Sequence, residues 1–167
     1  KDPFRTARAS RLLPSRSTIR VLHIGKAMTK YMNSLAHKET RRNPRYVWLG
    51  ELSYTQTRKV MARCKALILT SLLEGGANVI SEALSDSVPI IASRIPGSVG
   101  LLGENYPGYF NVRDTKMLSK LLWRIEDDPS FLKELHGYVS ALSQNVSFDV
   151  EQSSWEELLD ELFVGND

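Results

Sequence analysis

The sequence predicts an α/β domain built on a doubly wound sheet of parallel strands. Three observations predict it. Short apolar, β-branched runs alternate along the chain with stretches of helical periodicity. The four main runs lack polar alternation, as strands do when both sheet faces are covered. The intervals between them each hold one helical segment, long enough for the crossover that parallel pairing requires.

The elements follow in order. Residues 3–13 read as a helix entered through Asp2-Pro3, a capping residue followed by proline, and stopped by Pro14. "IRVLHIG" (19–25) is a short buried strand ending in glycine, and residues 29–40 are helical. "RYVWLG" (45–50) is the second strand, "TQTRKVMARC" (55–64) a helix, and "ALILTS" (66–71) the third strand. "GANVISEALSD" (76–86) is a helix and "PIIAS" (89–93) the fourth strand. From residue 94 the rhythm breaks. "RIPGSVGLLGENYPGYFNV" holds Pro96, Gly97, Gly100, Gly103, Pro107 and Gly108, and reads as a long loop with "GYFNV" as a short fifth strand. Long loops at strand carboxyl ends are where such sheets bind ligands. Helices over 114–126, 129–143 and 149–163 complete the chain, with Asp114 and Asp128-Pro129 as starts. The last is amphipathic, carrying Trp155, Leu158, Leu159, Leu162 and Phe163 on one side. The tryptophans Trp48, Trp123 and Trp155 read as core.

Composition narrows the function. With 167 residues, 42% apolar and 25% charged, the chain suits a single globular domain. No apolar run approaches the roughly 20 residues of a membrane-spanning helix. One cysteine, Cys64, excludes an internal disulfide framework and suits a reducing compartment, so a cytoplasmic location is expected. The chain opens on Lys-Asp-Pro without a methionine or a secretory leader, and is expected to be part of a longer protein. Residues 1–65 hold 16 Lys and Arg against 3 Asp and Glu, whereas 66–167 hold 6 against 16. A basic half implies an anionic partner. Nucleic acid is disfavoured, because no recognition motif appears and aromatics do not interleave with the basic residues. A small phosphorylated ligand fits, and so does a solvated basic face.

The chemistry concentrates in "TSLLEGGANVISEALSDSVPIIAS" (70–93), where Glu74 and Glu82, with seven residues between them, flank a glycine-rich helix start. A strand leads into a loop and then a helix. Backbone N–H groups of Gly76, Ala77 and Asn78 therefore lie at a helix amino end above the carboxyl edge of the sheet. Such groups favour phosphate, and Gly75 and Gly76 allow close approach of a ligand to the backbone. If most of the interval is helical, the two acids are about 12 Å apart, a span that bridges two sugars across a diphosphate. Carboxylates accept hydroxyl hydrogen bonds, so Glu82 is expected to hold a ribose diol and Glu74 an outer sugar. Glutamates at this spacing also occur by chance in many helical segments. No nucleophile constellation accompanies them: Cys64 follows a helix and His23 sits mid-strand among apolar residues. No His/Asp cluster has metal-ligand spacing.

This segment resembles the hallmark of family 4 retaining glycosyltransferases of the GT-B fold, in which E-G-[FG]-G-x-x-x-x-E-A precedes G-x-P-[VI]-[IV]-A-[ST]. The upstream "YVWLGELSYTQTRKVMARCKALILTS" is similar to that family's strand, loop, helix and strand, and "FDVEQSSWEELLDELF" resembles its closing helix. The resemblance implies one Rossmann-like half of a GT-B fold. That half is the carboxyl-terminal domain, which binds a nucleotide-diphosphate sugar as donor. The domain's first strand and the amino-terminal acceptor domain are expected to lie ahead of Lys1. "KDPF" is similar to the family's segment whose lysine contacts the donor diphosphate, which implies that role for Lys1. The resemblance further implies that the amides of Gly76, Ala77, Asn78 and Val79, with Lys1, stabilise the departing diphosphate without a metal, while Glu74 orients the sugar. Leu52, in Gly50-Glu51-Leu52, would border the nucleobase. A uridine-diphosphate hexose is the expected donor, with no further cofactor. Ala77 and Ser87 stand where the family has glycine, and "PGSVGLLGE" replaces its usual "GG-x-x-E". "EGGANVISEAL" together with "ASRIPGSVGLLGENYPGYF" is similar to a bacterial subgroup that includes selenosugar synthases. The alternatives are a nucleotide-sugar epimerase of the same fold and a non-catalytic nucleotide-binding or interaction module.

Overall fold

A computed structural model of the chain describes residues 1–143; the helix expected over 149–163, with Trp155, lies outside them. The described elements are α1 (Arg5–Ser10), β1 (Val21–Ile24), α2 (Lys30–Arg42), β2 (Tyr46–Gly50), α3 (Tyr54–Met61) and β3 (Leu67–Leu69). They continue with α4 (Asn78–Ser85), β4 (Ile90–Ser93), α5 (Pro96–Leu102), β5 (Tyr109–Phe110), α6 (Thr115–Asp127) and α7 (Pro129–Ser143). Every strand pair is parallel. The ladder is not continuous: β1 pairs with β2, β3-β4-β5 forms a second group, and β1 does not bond to β3.

Local chemistry sets the helix starts. Thr29 accepts a bond from the Met32 N–H, and Asp114 does the same for Met117. Ser53 and Gln56 form a reciprocal capping box at α3. The first helix, expected over 3–13 with Asp2-Pro3 as its entrance, spans only Arg5–Ser10, with Phe4 and not Asp2 at its N-cap. Two further differences bear on the site. The helix expected from residue 76 begins at Asn78, because Gly75 and Gly76 remain in the loop and Ala77, with extended backbone, is the N-cap. The stretch expected to be loop after residue 94 contains α5, entered through Pro96 at its first turn. Its glycines read as loop formers, yet Gly97 is there for space. A Cβ on Gly97 would lie 2.3 Å from the Glu74 carbonyl oxygen, so only glycine lets the helix touch that loop.

The core gathers around β4, which is buried at all four positions. Ile80 and Leu84 of α4, Leu118 and Leu121 of α6, and Phe131, Leu135 and Val139 of α7 pack with it, each fully or almost fully buried. Each such side chain contributes about 1.5–3 kcal/mol by leaving water. Polar staples join the pieces. Buried Asn43 donates through Nδ2 to Ala7 O (3.1 Å) and Glu39 Oε1 (2.9 Å), and its Oδ1 accepts from Arg45 N (3.1 Å). The Tyr106 hydroxyl donates to Ile90 O (2.6 Å) and accepts from Ile90 N (3.1 Å), standing in for a strand partner where β5 has not yet begun. Of the two tryptophans expected as core, Trp123 packs against it while half-buried, and Trp48 is half-buried away from it. The Trp48 indole N–H donates to Gly25 O (3.0 Å), and the Arg16 guanidinium lies over the Trp123 ring.

Candidate functional site

Within each strand group the strands are parallel, so their carboxyl ends lie on one edge of that group, and the bonds between Asp2 and Thr70 with the packing of Phe4 on His23 bring the first residues of the chain to both groups. These ends carry Gly25–Met28 after β1, Glu51 and Leu52 after β2, and Thr70–Ala77 after β3. The chain's first residues reach the same place. The Asp2 N–H donates to Thr70 O (3.2 Å), and the Thr70 hydroxyl donates to Asp2 O (2.8 Å).

Glu74 is the best-anchored side chain at this edge. The Ser71 hydroxyl donates to Glu74 Oε1 (2.7 Å), and Ser71 is itself held through its carbonyl by the Ser93 hydroxyl (2.6 Å). Both serines are buried. Lys1 Nζ stands 3.5 Å from the same carboxylate oxygen. The Ser71 hydroxyl foremost, and Lys1 after it, hold the Glu74 carboxyl below the usual carboxylate range, against partial burial that pushes it up. Glu74 is therefore ionised at neutral pH, an acceptor of hydroxyl hydrogen bonds and not a proton donor. Lys1 brings a largely exposed cation beside it.

At the start of α4, Ala77 offers no side-chain cap. The N–H groups of Asn78 and Val79, in the first turn, thus lack an acceptor within their own helix. Gly75 and Gly76 are exposed beside them. Glu82 lies one turn further along, half-buried, with no side-chain hydrogen bond or ion pair to the described residues. The structure thus joins Lys1 to Glu74, and leaves Glu82 on the adjoining helix without a hydrogen bond or ion pair to either. Only the part of the Glu74–Glu82 interval from Asn78 onward is helical, so helical rise does not set their separation. Leu52 is half-buried just past β2, where Gly50 takes a positive φ of 71° to turn the chain.

A crevice that sequence reasoning missed opens nearby, lined by Phe4, His23, Lys26, Met32 and Trp48. Its only sequence signal is the Gly25-Lys26 step that ends β1. His23 is bonded to the Tyr46 hydroxyl (2.5 Å), and burial holds its imidazole below the usual value, so it is neutral at pH 7 and belongs to the packing. Burial raises the Cys64 thiol above its usual value, which disfavours the thiolate, and its Sγ donates to Val60 O (3.3 Å). Part of the basic half is consumed internally: Arg5 and Arg8 pair with Asp2, and Arg11 with Glu39. Among the described residues there is no cluster of metal-ligating side chains, and no helix is long and apolar enough to cross a membrane.

Solved structures share this architecture. HepE (Alr3699) of Anabaena, crystallised with UDP, superposes with a TM-score of 0.77 at 20% identity, covering 93% of this chain and 44% of that one. Sucrose-phosphate synthase of Thermosynechococcus elongatus gives a TM-score of 0.76 at 16% identity, over 99% of this chain and 43% of the other. TarM gives 0.70 at 17% identity, covering 95% and 32%. The chain therefore spans less than half the length of these proteins, and at such identities the likeness establishes the fold. Residues 1–140 match the family described as "Glycosyl transferases group 1". With that match over most of its length, the chain belongs to the group 1 glycosyl transferase family.

Proposed function

We propose that this chain is the donor-binding domain of a retaining glycosyltransferase, which holds a nucleotide-diphosphate hexose while an acceptor is presented by an amino-terminal domain ahead of Lys1. The observation that carries the reading is the arrangement after β3: an ionised Glu74 fixed by Ser71, Lys1 beside it, and an uncapped α4 start two glycines away. In this reading the diphosphate rests on the amides of Gly76, Ala77, Asn78 and Val79, with Lys1 as its cation. Glu74 accepts hydrogen bonds from the sugar, Glu82 from the ribose diol, and Leu52 borders the base. The uridine nucleotide is chosen because HepE was crystallised with UDP and with UDP-glucose.

The reaction assigned to the site is a same-face displacement. The bond from the anomeric carbon to the diphosphate oxygen breaks, the acceptor oxygen forms a bond to that carbon, and the acceptor proton passes to the departing phosphate. Fixed N–H dipoles and Lys1 stabilise the charge that develops on the diphosphate, and no metal is required by the residues assigned. Calorimetry with UDP and UDP-glucose tests the donor site. Binding by the folded chain is expected, weakened about tenfold or more by Glu82→Ala, which removes a charged acceptor from the diol. Silence of the folded chain at millimolar UDP overturns the reading and favours an interaction module.

A further inference from the structure

We propose that the carboxyl ends of β1, β2 and β3 form a docking surface for an anionic lipid bilayer, held by exposed apolar tips and the lysines beside them. Exposed hydrophobic residues are unevenly placed on this chain. Among the described residues, the four most exposed large ones are Met28 (79%), Leu73 (78%), Tyr31 (72%) and Tyr54 (64%), and the next, Leu12, stands at 56%. All four lie just past the carboxyl end of a strand: Met28 and Tyr31 after β1, Tyr54 after β2 and Leu73 after β3. The contacts of Asp2 with Thr70 and of Phe4 with His23 tie the two strand groups together at these ends. Apolar side chains exposed singly are ordinary, but gathered at one place they mark an interaction site.

Built structure presents these tips. Gly25 N donates to Gly50 O (2.8 Å), the Trp48 indole N–H donates to Gly25 O (3.0 Å), and Lys26 Nζ lies 3.8 Å from a Glu51 carboxylate oxygen. The loops after β1 and β2 are thus tied to each other. The Met32 N–H donates to the Thr29 hydroxyl (3.1 Å), and Ser53 and Gln56 close the capping box of α3. These caps fix Tyr31 and Tyr54 in the first turns of their helices. Arg58 Nη1 donates to the Tyr54 hydroxyl (2.8 Å), which holds that ring in place while leaving it exposed.

Charge says what the surface meets. Between Gly25 and Glu39 the chain carries Lys26, Lys30 and Lys38 and no acid. Lys26 and Lys30 bracket Met28, and Tyr31 follows directly, all of them exposed. Lysine beside methionine and tyrosine suits a membrane interface. The apolar tip enters the acyl boundary, the tyrosine ring rests among the headgroups, and the ammonium meets lipid phosphate. The tips stand on three separate loops, so a fluid layer takes each one by itself, whereas a rigid protein partner needs a continuous packed face. A few tips and two lysines give reversible, salt-sensitive binding that depends on anionic lipid. Docked this way, the loop that carries Glu74 faces the headgroups.

Flotation with vesicles tests the surface, using phosphatidylcholine alone and phosphatidylcholine mixed equally with phosphatidylglycerol. The parent chain is expected to float with the anionic vesicles at low salt, and to stay behind with neutral vesicles or at high salt. Met28→Glu combined with Tyr31→Glu, and separately Lys26→Gln combined with Lys30→Gln, are each expected to weaken the partition about tenfold or more. Met28→Ser combined with Tyr31→Ser removes the apolar tips without adding charge and is expected to weaken it as well. Leu12→Glu makes the same exchange of an exposed apolar residue for an acid beyond the far end of α1, and is expected to bind like the parent. Circular dichroism confirms that each chain is folded, and the serine pair decides if the glutamate pair is not. A folded parent that fails to float with anionic vesicles overturns the proposal. Equal flotation of the parent and the Met28 and Tyr31 variants overturns it too, by assigning the attraction to the basic surface at large. So does self-association of the parent, lost in those variants, without flotation, which assigns the surface to a second copy. The vesicles carry no nucleotide, so the outcome is separable from that of the donor site.

Discussion

Gly97→Ala tests the link between α5 and the loop that carries Glu74. A Cβ at Gly97 would lie 2.3 Å from Glu74 O, 3.0 Å from the Glu74 carbonyl carbon and 3.0 Å from Gly75 O. Ordinary contact begins near 3.4 Å, so the loop or the helix must move by about 1 Å. All three opposing atoms are backbone, and the loop is pinned through the hydrogen bonds from Ser71 to Glu74 and from Ser93 to Ser71. Neither partner can turn aside as a flexible side chain does. Overpacking of this kind costs about 1–3 kcal/mol. Gly100→Ala is the control. It lies in the same helix, its Cβ meets nothing within 4 Å, and alanine there is expected to be neutral or to stabilise by about 0.5–1 kcal/mol. Urea unfolding reads the stability difference. At roughly 3 °C per kcal/mol for a chain of this size, thermal melts read it too. If the loop holds the diphosphate, Gly97→Ala also weakens UDP binding about tenfold or more, because displacements near 1 Å carry penalties of that order. Indistinguishable urea midpoints for Gly97→Ala and Gly100→Ala would refute the reasoning.

Tyr106→Phe leaves both polar backbone groups of Ile90 without partners in the core, and is expected to cost about 2–3 kcal/mol in urea unfolding, with the secondary structure by circular dichroism unchanged. Ser71→Ala removes the main influence that lowers the Glu74 carboxyl, so its titration, followed by carbon NMR, shifts up toward the ordinary value of 4.5. The sign for stability follows: the folded Glu74 value is depressed, so its contribution is present above pH 4.5 and is lost as pH falls through the lower folded value. Ser71→Ala should thus be about 1 kcal/mol less stable at pH 7, with the gap to the wild type closing in acid. Ser87 adopts a φ of 54°, in the left-handed region. Ser87→Gly relieves that strain and is expected to raise stability by about 0.5–1 kcal/mol in thermal melts.

The alternation of apolar runs with helical periodicity was enough to read β1 to β4 and the helices between them, because each element answers to a period of its own residues. The loop-to-helix turn after β3 was legible for the same reason: Gly75-Gly76 ahead of a periodic run marks a helix start to within two residues. Helix α5 was not legible, since Pro96, Gly97 and Gly100 are loop formers by local preference. Gly97 is glycine because a backbone carbonyl 23 residues away in sequence sits against it. Ser71 and Ser93 carried no sequence signal either, and Trp48 read as core although it is half-buried and lines the crevice.

The sequence by itself determined the fold class, the strand order along the chain and the segment that holds Glu74, Glu82 and the helix start. Only the tertiary structure decided that Lys1 meets Glu74, that two buried serines hold that acid in place, and that the sheet divides between β1 and β3. The physical reason is range. Periodicity and capping act within a few residues, whereas pairing, close approach and ion contact depend on which distant segments the packed chain brings within a few ångströms.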